Sequence, residues 1–132
     1  MAIKILLADD NAVLRRALRL SIESQTDWKI AGEAEDGQVA VELVRQSSPD
    51  VIILDLSMPV MNGLDAARKI RALTPKAYIL LFTLHDYPQL AEEARRVGVD
   101  EVLSKVSGLD TTVVGAVRSL LPESVLSDSA AP

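Results

Sequence analysis

The chain contains no cysteine, so it can hold neither a disulfide nor a thiolate-bound metal. Aromatic residues are scarce, with one Trp, two Tyr and one Phe, and the core must therefore be aliphatic. No run approaches the ~20 apolar residues that span a bilayer, and no membrane partner is expected. Met1-Ala2 leads directly into an apolar run, so no signal peptide is expected either. Basic residues are in the minority. The 14 Lys and Arg face 19 Asp and Glu, a net charge of −5, which argues against broad nucleic-acid binding by this chain. The simplest expectation is a soluble cytoplasmic protein. A length of 132 residues, 48% of them hydrophobic, allows one compact domain with a real core and argues against disorder.

Short apolar runs recur along the chain, and several stop at a polar residue. Ile3–Ala8 ends in Asp9-Asp10, Val51–Leu54 in Asp55, Tyr78–Phe82 in Thr83, and Glu101–Ser104 in Lys105. Runs of this length, rich in Ile, Leu and Val, read as buried strands of a parallel sheet. Trp28–Ala34 reads as a further strand, partly alternating.

Helical patterns lie between the strands. Asn11 is a candidate N-cap for a helix with Leu14, Ala17, Leu18 and Ile22 inward. Asp36-Gly37 turns the chain into a helix with Ala40, Leu43 and Val44 inward, and Pro49 follows it as a stop. Ala66, Ala67, Ile70 and Leu73 form the next stripe. Asp86 and Gln89 have the spacing of a capping box before Leu90, Ala94 and Val97, with Gly98 as C-cap. Asp110 is the expected cap of a last helix running to about Leu121. Its apolar residues, Val113, Val114, Ala116, Val117, Leu120 and Leu121, are wider than one buried stripe, so part of that face is a candidate interface.

Five βα units imply right-handed crossovers and a doubly wound α/β fold. The order 2-1-3-4-5 of flavodoxin-like sheets gathers the polar strand ends on one rim, where open α/β sheets bind ligands. Residues 1–121 form the domain, and 122–132 a tail or the start of a linker.

The rim residues suggest phosphoryl chemistry. Clustered carboxylates repel one another and raise each other's pKa. A hard cation such as Mg²⁺ resolves this with oxygen ligands. A carboxylate can also act as a nucleophile and form an aspartyl phosphate. Such transfer needs charge neutralisation and positioning, which a metal on one side and Lys105 on the other would supply. A hydroxyl such as that of Thr83 could hydrogen-bond the phosphoryl oxygens.

Asp9-Asp10, Asp55, Met58-Pro59, Gly63, Thr83 and Lys105, each in its strand context, make residues 3–121 resemble the receiver domains of two-component response regulators. The resemblance implies that Asp55 is the phosphoacceptor. It also implies that Asp10 ligates Mg²⁺ directly, that Asp9 assists through water, and that the carbonyl of Ser57 is the third protein ligand. Lys105 would pair with the phosphoryl group, and Thr83 would couple it to the helix 4 face. The donor would be a phosphohistidine on a sensor histidine kinase or phosphotransfer protein. Such a domain catalyses only its own phosphorylation and dephosphorylation, and phosphorylation-linked homodimers are expected. Arg15, Arg16 and Arg19 fall in the first helix, where kinases dock in the family, although a solvated face reads equally well.

Thr83-Leu84-His85-Asp86 further resembles receivers of the NarL/FixJ kind. Val102 stands where an aromatic switch residue is common, Val106 where proline is frequent, and Leu84 where Ala or Gly is usual. Ser57 and His85 occupy positions that tune phosphoryl lifetime. A dehalogenase-like phosphatase would need a second acid two residues after Asp55, where Ser57 stands, and no Gly-rich nucleotide loop follows the first strand. The remaining alternative is a receiver-like interaction module that works without phosphorylation.

Overall fold

Period-two alternation within the buried runs decides which side of the sheet each helix covers. In the computed structural model, residues 2–84, 86–105, 111–123 and 125 are described, with Thr111 and Thr112 described at the backbone alone. The elements are β1 (Lys4–Ala8), α1 (Ala12–Gln25), β2 (Lys29–Ala34), α2 (Gly37–Ser47), β3 (Val51–Leu54), α3 (Gly63–Leu73), β4 (Tyr78–Thr83), α4 (Leu90–Arg96), β5 (Glu101–Ser104) and α5 (Thr111–Leu120). All pairings are parallel and the order is β2-β1-β3-β4-β5, as the doubly wound reading requires. Ile5, Leu7, Val51, Ile53, Leu80 and Phe82 face one side, where α1 and α5 contribute Leu18, Ile22, Val113, Val114 and Val117. Leu6, Ala8, Ile52, Leu54, Ile79 and Leu81 face the other, where α2, α3 and α4 contribute Ala40, Val44, Ala66, Ile70, Leu90 and Ala94.

Side-chain caps start three helices. The carboxamides of Asn11 and Asn62 accept from the N–H groups of Leu14 (3.1 Å) and Asp65 (2.9 Å), and the Asp36 carboxylate accepts from Val39 (2.8 Å). Each such cap contributes about 1 kcal/mol.

At the edge of the sheet opposite the strand C-termini, Arg71 ties α3 to the end of α4. Its guanidinium donates to the carbonyls of Ala77 (2.6 Å) and Gly98 (2.6 Å) and to Asp100 (2.9 Å). Gly98 has φ +98°, and a Cβ there would lie 2.7 Å from the Arg71 side chain, so both conformation and space select glycine.

Several expectations are corrected. The Asp86–Gln89 capping box does not form. The Leu90 N–H bonds the Tyr87 carbonyl at 3.0 Å in a tight turn, α4 begins only at Leu90, and its cap residue Gln89 makes no side-chain cap bond. Ala17 is exposed because it sits one helical step, about 100°, from the Leu18–Ile22 line. Leu73, in the last position of α3, is 41% exposed beyond the final buried contact at Ile70. The apolar breadth of α5 is absorbed by the core: Val113, Val114, Val117 and Leu121 are buried, and Ala116 and Leu120 pack half-buried against them. The candidate interface on that helix therefore loses its motive. His85, Val106 and Asp110 lie outside the described residues, as does most of 122–132.

Candidate functional site

Strand polarity brings the polar ends together. The Asp9 N–H bonds the Ala34 carbonyl, that of Asp55 bonds Ala8, and that of Lys105 bonds Thr83, at 2.9, 2.9 and 2.8 Å. Each residue thus extends its strand by one step of the ladder, Asp9 and Asp55 at the crevice where the winding reverses between β1 and β3 and Lys105 at the far strand of the sheet.

Asp9 is buried and held through all of its polar groups. One carboxylate oxygen accepts from the Asn11 N–H at 2.9 Å, and the other from the Lys105 ammonium at 2.7 Å. Asp10 is exposed beside it. Asp55 is buried at the end of β3. Carboxylate oxygens of Asp9, Asp10 and Asp55 lie within 4.8 Å of one another. Such an all-oxygen, acidic donor set fits a hard divalent cation.

Lys105 starts two strands away from Asp55, yet its ammonium reaches within 3.4 Å of the Asp55 carboxylate while bonding Asp9. Its side chain is 5% exposed, and the ammonium lies 5.8 Å from the centre of the Phe82 ring. Thr83 is fully buried at the end of β4, one residue past the level of Asp55 in the register.

Burial pushes the Asp55 carboxyl above the usual carboxylate range, and the charge of Asp9 adds to the rise. The Lys105 ammonium and the Leu56 N–H act in the opposite direction. Both the desolvated acid and the cation that offsets it are thus on the rim.

The loop after Asp55 is tightly constrained. A Cβ on Gly63 would lie 2.2 Å from the Asp55 carbonyl oxygen, and the Gly63 N–H bonds the Leu56 carbonyl at 2.8 Å. No other residue fits so close to the backbone of Asp55. Val60 has φ 68° with its side chain 81% exposed, a strained conformation for a β-branched residue. Ser57 is exposed in this loop. Leu84 is 60% exposed, and Val102 packs half-buried against the α2–α3–α4 core.

Three neighbours, Arg15, Arg19 and Glu33, escaped the sequence reading as parts of the site. Arg15 donates to the Asp9 carbonyl at 2.5 Å and to Glu33 at 3.0 Å, and Arg19 donates to the other Glu33 oxygen at 2.6 Å. Only the position of Arg15 in the first turns of α1, close in sequence to Asp9, hinted at this contact.

Residues 5–114 match the response regulator receiver domain. The chain belongs to that family. It is 36% identical over 118 residues to the response regulator UvrY of Escherichia coli, covering 89% of this chain and 54% of that protein. It is 37% identical over 130 residues to a protein-glutamate methylesterase/protein-glutamine glutaminase of Methanococcoides burtonii, covering 93% of this chain and 37% of that one. It superposes on the receiver domain of the response regulator NarL from Mycobacterium tuberculosis with a TM-score of 0.83 and 30% identity, covering 89% of this chain and 94% of that domain. The resemblance to NarL-type receivers carried by Thr83–Asp86 thus has a structural counterpart. The receiver spans about half the length of UvrY, and less of the methylesterase. Among the described residues no helix is long and apolar enough to cross a membrane.

Proposed function

We propose that this receiver is a phosphorylation-dependent signalling switch whose phosphoacceptor is Asp55. The observation that carries the reading is the convergence of one desolvated acid, Asp55, with the Lys105 ammonium at 3.4 Å and the Asp9-Asp10 pair at its side. In the transfer, the N–P bond of a phosphohistidine on a sensor kinase or phosphotransfer protein breaks. An O–P bond to an Asp55 carboxylate oxygen forms, and the departing imidazole nitrogen takes up a proton. Lys105 favours the ionised, nucleophilic carboxylate and then faces the phosphoryl oxygens, and the Thr83 hydroxyl contributes a further hydrogen bond. Asp9, Asp10, Asp55 and the Ser57 carbonyl would hold Mg²⁺. When bound, Mg²⁺ supplies charge neutralisation to the acid cluster and the incoming phosphoryl group.

The domain boundary falls at about residue 121, and the reaction is confined to the chain's own phosphorylation and dephosphorylation, in the cytoplasm. The acidic charge keeps nucleic acid off the list of partners for these 132 residues. Phosphorylation-linked self-association would use the surface before α4, where Leu84 and Tyr87 are exposed, rather than α5.

Intact mass after incubation with acetyl phosphate and Mg²⁺ tests the assignment. One phosphate is added to the wild type and none to Asp55→Asn. Undiminished labelling of the variant overturns Asp55 as acceptor. An unlabelled wild type, with the fold intact, supports the alternative of an interaction module that acts without phosphorylation.

A further inference from the structure

Asp10 is the one carboxylate of the cluster that is exposed. Its neighbour Asp9 is fixed at the backbone N–H by Ala34 and at the carboxylate by Asn11 and Lys105. What remains to be set is the Asp9–Asp10 peptide, whose plane governs where the Asp10 side chain is presented. The carbonyl of that peptide is the group that Arg15 grips, at 2.5 Å, and Arg15 is in turn anchored by Glu33 at 3.0 Å. Glu33 is held in place because it stands on β2 level with Leu7 of β1, and its second oxygen takes Arg19 at 2.6 Å. The Arg15 and Glu33 side chains are 17% and 26% exposed, so this chain of contacts is largely shielded from water.

We propose that Arg15 is a positioning residue for the divalent cation: through the Asp9 carbonyl it holds the Asp9–Asp10 peptide in the orientation that aims Asp10 at the metal. This rests on the reading above that Asp10 is a Mg²⁺ ligand. It also predicts an effect opposite in sign to simple electrostatics. Removing a cation beside an acidic cluster should strengthen Mg²⁺ binding by Coulomb's law. If Arg15 positions Asp10, removing it weakens binding. A planar fork that bonds two acceptors at once is not replaced by an ammonium, so Arg15→Lys, which keeps the charge, also fails to restore affinity.

Titration of the metal-free protein with MgCl₂ at constant ionic strength, followed by calorimetry and by amide chemical shifts, tests this. The Mg²⁺ dissociation constant is expected to rise on the order of tenfold in both Arg15→Met and Arg15→Lys, the scale of lost support behind a metal ligand. Glu33→Gln should raise it severalfold. Arg16→Met removes the same charge from an exposed site on the same helix and should leave it unchanged or lower it. Labelling with acetyl phosphate gives a second readout: the half-saturating Mg²⁺ concentration rises in the Arg15 variants, and excess Mg²⁺ regains the rate. A purely structural role would lower the plateau instead. If Arg15→Met does not fold, Arg15→Lys and Glu33→Gln carry the comparison. Wild-type Mg²⁺ affinity in the Arg15 variants, with binding lost in Asp10→Ala, overturns the role of Arg15 alone. Undiminished binding in Asp10→Ala overturns the metal reading and this inference with it.

Discussion

Replacing Lys105 with Met is the sharpest probe of the acid cluster, because Met keeps most of the unbranched stem that lies by Phe82 and removes only the charge. In the wild type the ammonium bonds Asp9 at 2.7 Å and approaches Asp55 at 3.4 Å, and the three side chains are 5%, 4% and 8% exposed. Solvent screening is therefore weak. Removing one partner of a buried ion pair leaves the other charge uncompensated, at about 3–5 kcal/mol. The rim position of Asp55 argues for the lower end, about 3 kcal/mol at pH 7 without Mg²⁺. For a domain of this size that is a fall of roughly 10 °C in melting temperature.

The loss should also depend on pH in a defined sense. Asp55 already titrates above its ordinary range, with burial as the largest cause and Lys105 as the main opposing influence. Without Lys105 its folded pKa moves further above the unfolded value. The penalty is then present above the folded pKa and disappears as the acid takes up a proton on acidification. Urea unfolding of wild type and variant in EDTA, from about pH 7 to about pH 4, should show the difference between them shrinking. A difference below about 1 kcal/mol, the scale of an exposed pair, or one that does not change over this range, would refute the argument that Lys105 neutralises a desolvated carboxylate.

Asp55→Asn should be more stable than the wild type at pH 7 without metal, because a desolvated charge is removed, and the advantage should vanish near about pH 4. Equal stability at both pH values would show that burial of the charge costs nothing. Val60→Gly should raise stability by about 0.5–1 kcal/mol: the left-handed backbone penalises a β-branched residue by about 1–2 kcal/mol, glycine's extra unfolded entropy offsets part of the gain, and an exposed side chain forfeits little packing. Val60→Ala, which keeps most of the penalty, should show no such rise in urea midpoint. Trp28 is buried beside α5, with the Arg118 guanidinium 5.8 Å from its ring centre, and it precedes β2 at the edge of the sheet opposite the acids. With roughly 20 Å of strand between them, Mg²⁺ titration should leave its fluorescence nearly unchanged, whereas Arg118→Ala should shift it. A saturable Mg²⁺ response that is lost in Asp10→Ala would contradict this placement.

The strands, their parallel pairing and the rim of polar ends were legible because each depends on short-range pattern. Continuous Ile, Leu and Val runs cannot sit on a solvated surface, and a parallel sheet necessarily sends all its carboxyl ends to one edge. The order 2-1-3-4-5 is the arrangement that gathers Asp9, Asp10, Asp55, Thr83 and Lys105 on one rim, and the sheet has that order. Local pattern failed where a competing contact decided. A tight turn at Tyr87 displaced the start of α4, and the opposing face of the sheet absorbed an apolar width on α5 that looked like an interface. The remainder belongs to tertiary structure, because it depends on side chains far apart in sequence. Lys105 crosses the end of β4 to reach an acid 96 residues earlier, and Glu33 on an edge strand holds the arginine that grips the Asp9 carbonyl. No periodicity encodes how far a flexible side chain reaches or which backbone oxygen it meets. Those are settled only when the sheet has assembled and burial brings each charge within reach of its few partners.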